Sequence, residues 1–173
     1  MRIRKTQEYD INKVLEIYDI ARDFMKKNNN PNQWGKYYPS LETLREDMRK
    51  EVSYILEDDQ GEIQGTFAFI IGEDEYYKYI ENGSWTKDQT YGTIHRIASN
   101  GKIKNLTKIC LDFCIKEISY LRIDTHKDNI PMQKAIKSYG FKECGIIYVR
   151  DKSPRLAFDY YKKLKERTLE IIN

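Results

Sequence analysis

The sequence predicts an α/β chain built on one mixed β-sheet with helices packed over it. Two observations carry this. Apolar residues recur with a period of two in some stretches and at helical spacing in others, in the order β-α-α-β-β-β-α-β-α-β-β, about seven strands and about four helices. The strand–helix–strand run from Tyr91 to Thr125 demands a parallel pair joined by a right-handed crossover, while Val52 to Ile71 reads as an antiparallel hairpin. The 173 residues suit one domain spanning 1–173, without an internal repeat or linker.

Arg2 to Gln7 alternates as a first strand. Ile11, Val14, Leu15, Tyr18, Ala21 and Met25 then mark a helix, ended by Lys26-Lys27-Asn28-Asn29-Asn30-Pro31. Gln33 to Pro39 is an aromatic loop, and Ser40 caps a short helix from Leu41 to Lys50. Strands Val52 to Leu56 and Ile63 to Ile71 flank the turn Asp58-Asp59-Gln60-Gly61. Glu73 to Asp88 is polar and aromatic, with a short helix carrying Trp85. Tyr91 to Ser99 is the fourth strand, followed by a helix marked by Leu106, Ile109, Cys110, Phe113 and Cys114. Leu121 to Thr125 is a strand, and Pro131 to Tyr139 a helix stopped by Gly140. Phe141 to Val149 and Arg155 to Tyr161 complete the sheet. The tail from Tyr160 to Asn173 reads as a solvated amphipathic helix that could serve as a homodimer contact.

Bulk composition narrows the function. A net charge of +3, from 30 basic and 27 acidic residues, lacks the concentrated excess of a nucleic-acid domain, so no nucleic-acid partner is expected. Phe67 to Ile71, the longest apolar run, is too short for a membrane span, and the start shows no secretory signal. Cys110, Cys114 and Cys144 match no zinc spacing and read as buried free thiols in a cytoplasmic protein. No metal is expected; Asp124-Thr125-His126 lacks a third ligand nearby.

The stretch Ile94 to Thr107 runs from strand through polar loop into a helix start, where free N–H groups and the helix dipole make an anion site. Lys102, Lys104 and Lys108 add charge that suits a pyrophosphate, although a plain connection with solvated lysines fits the same residues.

At this point the chain resembles the GNAT superfamily of N-acetyltransferases almost end to end, and within it a bacterial subgroup. The resemblance rests on Asn32-Gln33-Trp34, Thr66 to Asp74, His95-Arg96-Ile97-Ala98-Ser99, Arg122-Ile123-Asp124-Thr125-His126-Lys127-Asp128-Asn129, Gly140-Phe141 and Cys144 to Tyr148. It implies an acyl-CoA-dependent N-acyltransferase, moving acetyl from acetyl-CoA to an amine of a small molecule or peptide. It also implies a sheet whose fourth and fifth strands splay to admit the pantetheine arm, with Ile97 and Ser99 offering backbone groups to it. The phosphate loop would be Gly101, Lys102, Ile103, Lys104, Asn105, Leu106 and Thr107, and Asn129 would also contact CoA or cap its helix. Lys102, Asn105 and Thr107 stand where the family carries Arg or Gln, Gly, and Gly or Ala. Asn tolerates left-handed geometry and Thr107 adds bulk, so a weakly active or inactive GNAT-fold binding module is the alternative. Ile136 replaces the Tyr that often protonates the leaving thiolate.

Acyl transfer needs a neutral amine, and His95 is the candidate base, or else a hydrogen-bonded core histidine. Regular alternation puts it on one face with Ile97 and Ser99, opposite Arg96. Asp124 and His126 share a face toward the splay and could hold the substrate ammonium, relay a proton or simply hold the loop. Trp34, Tyr38 and Trp85, with Tyr37, would line the acceptor side; loop packing over the sheet edge fits them as well.

Overall fold

A computed structural model describes residues 1–162. Strand β1 (Arg2–Lys5) leads through a 3-10 turn into helix α1 (Ile11–Lys27) and helix α2 (Leu41–Arg49). Then come β2 (Ser53–Glu57), β3 (Ile63–Ile71) and a 3-10 turn at Glu75–Tyr77. β4 (Gly92–Ser99), α3 (Leu106–Glu117), β5 (Tyr120–Thr125), α4 (Ile130–Tyr139), β6 (Lys142–Tyr148) and β7 (Pro154–Tyr161) follow. The seven strands form one sheet in the order β1-β2-β3-β4-β5-β7-β6, antiparallel everywhere except between β4 and β5. The mixed α/β sheet with seven strands and four helices is thus as the sequence predicts.

Local chemistry sets the boundaries. Ser40 Oγ accepts from the Thr43 N–H, and Asn129 Oδ1 from the Met132 N–H, so each satisfies an orphan donor at its helix start. Gly140 at φ 115° ends α4 in the left-handed region. The short helix expected to carry Trp85 is instead the 3-10 turn at Glu75–Tyr77, and Trp85 lies beyond it in irregular chain. Tyr160 and Tyr161 belong to β7, and the rest of the expected tail helix, residues 163–173, lies outside the described residues.

The core has two faces. Val14, Ile17 and Tyr18 of α1 pack with Leu44 of α2 and Ile55, Ile63 and Ala98 of the sheet. On the opposite face Leu111 and Cys114 of α3 and Ile136 of α4 pack against Phe67, Phe69, Ile94 and Phe158. Cys110, Cys114 and Cys144 are buried free thiols.

Two features of β4 prepare the site. Its pairing with β5 is confined to Gly92↔Leu121 and Thr93↔Arg122, after which the strands part. At this junction Gly92 is obligatory, since a Cβ there would come within 2.5 Å of the Phe69 ring and 2.9 Å of Ile118. On the other edge, Thr66 pairs with Ala98 but Ala68 pairs with His95, so two residues of β4, Arg96 and Ile97, oppose Phe67 alone. This β-bulge carries Arg96 at φ 55°.

Candidate active site

The parting of β4 and β5 opens a cleft of about 630 Å³, walled by the last turns of α1, by β4, by the start of α3 and by α4. Ile97, Ser99, Gly101, Ile103, Asn105, Leu106, Thr107 and Asn129 all line it. Lys102 and Lys104 stand in the same loop without forming the wall. Among the described residues β4 has no partner on its β5 side beyond Thr93, so its free edge faces this space.

The loop between β4 and α3 differs at its two ends in how its N–H groups are bonded. Asn105 takes φ 60°, the left-handed conformation in which glycine is easiest and Asn next. Its side chain makes no capping bond, and among the described residues the N–H groups of Leu106, Thr107 and Lys108 at the start of α3 meet no acceptor. At the near end the Gly101 N–H donates to Ser99 Oγ and the Lys102 N–H to Asn100 Oδ1, both at 3.0 Å. The N–H groups left unbonded therefore lie toward the helix start rather than along the whole loop.

The bulge redirects β4. One inserted residue reverses the parity of a strand. His95 therefore shares the α1 face with Ala98, and Ile97 and Ser99 face α3. The expectation that His95 lies with Ile97 and Ser99 is corrected on this ground. Arg96 turns toward α2, where its guanidinium grips Asp47 with two hydrogen bonds of 2.8 and 2.7 Å and donates to Tyr38 Oη at 3.1 Å. Burial pushes the Asp47 carboxyl up, against the downward pull of Arg96.

His95 sits between two carboxylates. Its Nε2 is 2.8 Å from Asp74 Oδ2, and its Nδ1 is 3.8 Å from Asp124 Oδ1. An ionised carboxylate only accepts, so Nε2 carries the proton and Nδ1 keeps the lone pair in the neutral ring. Burial raises the Asp74 carboxyl, yet the hydrogen bond and charge of His95, helped by the Tyr76 N–H, outweigh it and leave it below the ordinary carboxylate range. Asp124 Oδ1 accepts from Tyr77 Oη at 2.7 Å, and the Tyr77 ring meets the imidazole edge-on at 5.8 Å. Burial and the Asp124 charge hold the Tyr77 phenol well above its usual range, so it stays protonated and donates.

The other expected residues divide. Asp124 joins the His95 cluster, whereas His126 points to the start of α4, its Nδ1 accepting from the Asp128 N–H at 3.2 Å. Burial and Arg155 hold His126 below the usual imidazole value, so it is neutral at pH 7. Asn129 caps α4 and donates to Gln33 Oε1 at 2.9 Å, which ties the aromatic loop to the cleft wall. Trp34 is buried against Tyr18 and Tyr38 in the core, as loop packing requires, instead of lining an acceptor surface. Trp85 stacks on Tyr77 and donates from Nε1 to the Tyr77 carbonyl at 2.9 Å. Tyr38 is exposed and reaches the site through Arg96.

Sequence reasoning missed Asp74, Tyr77, Arg96 and Arg155. One signal was present: a lone arginine inside the apolar strand Ile94 to Ala98 must find a buried partner. Among the described residues no group of three or more His, Cys, Asp or Glu is placed to hold a metal, and no helix is long and apolar enough to cross a membrane.

Solved structures share this architecture. A GNAT-family acetyltransferase from Streptococcus agalactiae is 26% identical, with 94% of this chain and 96% of that one covered and a TM-score of 0.85. The ribosomal-protein-alanine N-acetyltransferase of Brucella melitensis is 18% identical over 94% of this chain and 100% of that one, TM-score 0.61. The ribosomal-protein-S18-alanine N-acetyltransferase of Escherichia coli is 13% identical over 97% of both chains, also at 0.61. At these lower identities the likeness is one of fold. No family model and no curated protein matches the chain. The resemblance read from the sequence is borne out: this is a GNAT-fold chain, and the structures similar to it are named acetyltransferases.

Proposed function

We propose that the chain is an acetyl-CoA-dependent N-acetyltransferase whose acceptor is an amine of a small molecule or peptide, with His95 as general base. What carries this reading is that one bulge brings together an open strand edge, which lines the cleft, and His95, which lies outside the cleft wall and is held by Asp74 through Nε2 so that Nδ1 is left to accept. The cleft fits the donor: about 630 Å³, apolar along α1 and α4, with unbonded N–H groups at the α3 start for a diphosphate.

Acetyl-CoA supplies an activated thioester. The free edge of β4 around Ile97 and Ser99 takes the pantetheine arm as an added strand and polarises the thioester carbonyl through backbone N–H groups. His95 Nδ1 accepts the proton of the attacking amine, and Asp74 stabilises the imidazolium that forms while fixing the ring. Asp124, beside Nδ1, holds the incoming ammonium until its first proton passes to solvent; the second, shed as the C–N bond forms and the C–S bond breaks, is the one Nδ1 accepts. Tyr139 donates its hydroxyl to Asp112 at 3.0 Å and buried Ile136 offers no proton, so CoA leaves as thiolate, which its ordinary acidity permits.

The alternative, a GNAT-fold module that binds CoA poorly and acts through other contacts, draws on the Gly101 and Lys102 amides that are already bonded. Thermal denaturation with acetyl-CoA decides between them. At a hundredfold excess over Kd, binding adds about 2.7 kcal/mol of stability. An unmoved transition at millimolar acetyl-CoA would sink the transferase reading, and thiol release across an amine panel would complete the case for it.

A further inference from the structure

We infer that the acceptor is a cationic primary amine bearing no carboxylate on the carbon next to nitrogen, so that free α-amino acids are excluded. This rests on the reading of His95 as the acceptor-side base.

The charge around His95 is lopsided. Asp74 and Asp124 flank the ring at 2.8 and 3.8 Å. The two guanidinium groups that reach this cluster are both committed. Arg96 spends its fork on Asp47 and Tyr38. Arg155, buried, donates to Ser153 Oγ, to the Pro154 carbonyl and to the Gln33 carbonyl, all neutral acceptors, and its charge is paired with Asp124 through Nε at 4.0 Å. His126 is neutral and already accepts from the backbone. Lys36 and Lys127 are exposed on neighbouring loops, and neither contacts His95, Asp74 or Asp124.

An ammonium entering beside Nδ1 therefore meets Asp124 at the point where it must give up a proton. A carboxylate one carbon away would meet Asp74 and Asp124, of which Arg155 offsets only Asp124, and among the described residues no unpaired cation beside them; like charges brought together at a desolvated site cost several kcal/mol. The Tyr77 ring beside the imidazole and the exposed Tyr38 favour a cation further.

Matched acceptors test this on the full chain. Tyramine is compared with tyrosine and tyrosinamide, and pentylamine with norleucine and norleucinamide, by thiol release from acetyl-CoA. The amine and the carboxamide of each set are expected to exceed the amino acid in kcat/KM by roughly a hundredfold, the scale of a like-charge clash. Amino acids used as well as their amides would overturn the inference and leave the transferase reading intact. Should no acceptor release thiol, thermal denaturation with acetyl-CoA still decides that reading, and calorimetric titration of the same compounds decides the inference separately. Tyramine binding about tenfold or more tighter than tyrosine sustains it; equal binding, or no binding of either, overturns it.

Discussion

Two buried polar clusters lie along β5, one at each end, and they differ in what the sheet does around them. At the end where β4 and β5 pair, Asp159 Oδ2 accepts from the Thr86 N–H, the Thr86 hydroxyl and the Tyr120 hydroxyl at 2.7, 2.8 and 2.6 Å. Arg122, directly across from Asp159 on the neighbouring strand, is enclosed by Tyr91 and Trp85 at 3.8 and 4.2 Å and donates to the Lys87 carbonyl. Asp159 and Arg122 both find hydrogen-bond partners here, so this cluster staples the segment around Trp85 to the sheet. At the end where the strands have parted, His95 has one answered nitrogen and one left over. Similar residue types give a staple where strand pairing completes their bonding and an imidazole nitrogen without a hydrogen bond where it does not.

The comparison can be broken most severely at His95. His95→Ala is expected to lower kcat by about a thousandfold, the middle of the range for a lost general base, while acetyl-CoA still raises the melting temperature. Thiol release at saturating substrate measures it, and an unchanged rate across pH would return His95 to the role of a core histidine.

Asp159→Ala probes the staple. Its loss takes the acceptor from buried Tyr120 Oη and from the N–H and hydroxyl of exposed Thr86, and unfolding in urea is expected to show destabilisation of about 2 kcal/mol, with kcat per folded molecule unchanged. A fall in kcat without loss of stability would show that this end, too, does chemistry.

Asp74→Asn sharpens the comparison through pH. The folded Asp74 carboxyl lies below its ordinary value, so it contributes stability above the unfolded value near pH 4 and loses it as pH falls through the folded value. Wild type should exceed the variant by about 1.5–3 kcal/mol at pH 7, the range for a hydrogen bond to a charged group, and the gap should close toward pH 2. A gap independent of pH would mean that the Asp74–His95 contact owes nothing to charge.

Much of the molecule was legible in the chain. Helical spacing from Ile11 to Met25, the Ser40 cap, the Gly140 stop and the hairpin turn at Asp58 to Gly61 are local signals, and each element formed where its signal stood. The crossover from Tyr91 to Thr125 fixed a parallel pair for the same reason: a short strand–helix–strand run has one handed solution. Asn105 was legible too, as the residue beside glycine that accepts φ 60°.

The arrangement of the candidate site is visible only in the tertiary structure. Period-two reading assumes an unbroken ladder, and the single extra residue at Arg96 and Ile97 turns His95 to the other face without any glycine or proline to announce it. Asp74 meets His95 across 21 residues, and Trp34 enters the core through rings on α1 and its own loop. Period and capping are written in neighbours a few positions apart. Partners on separate elements are chosen by register and by where two strands cease to pair, which no local stretch encodes.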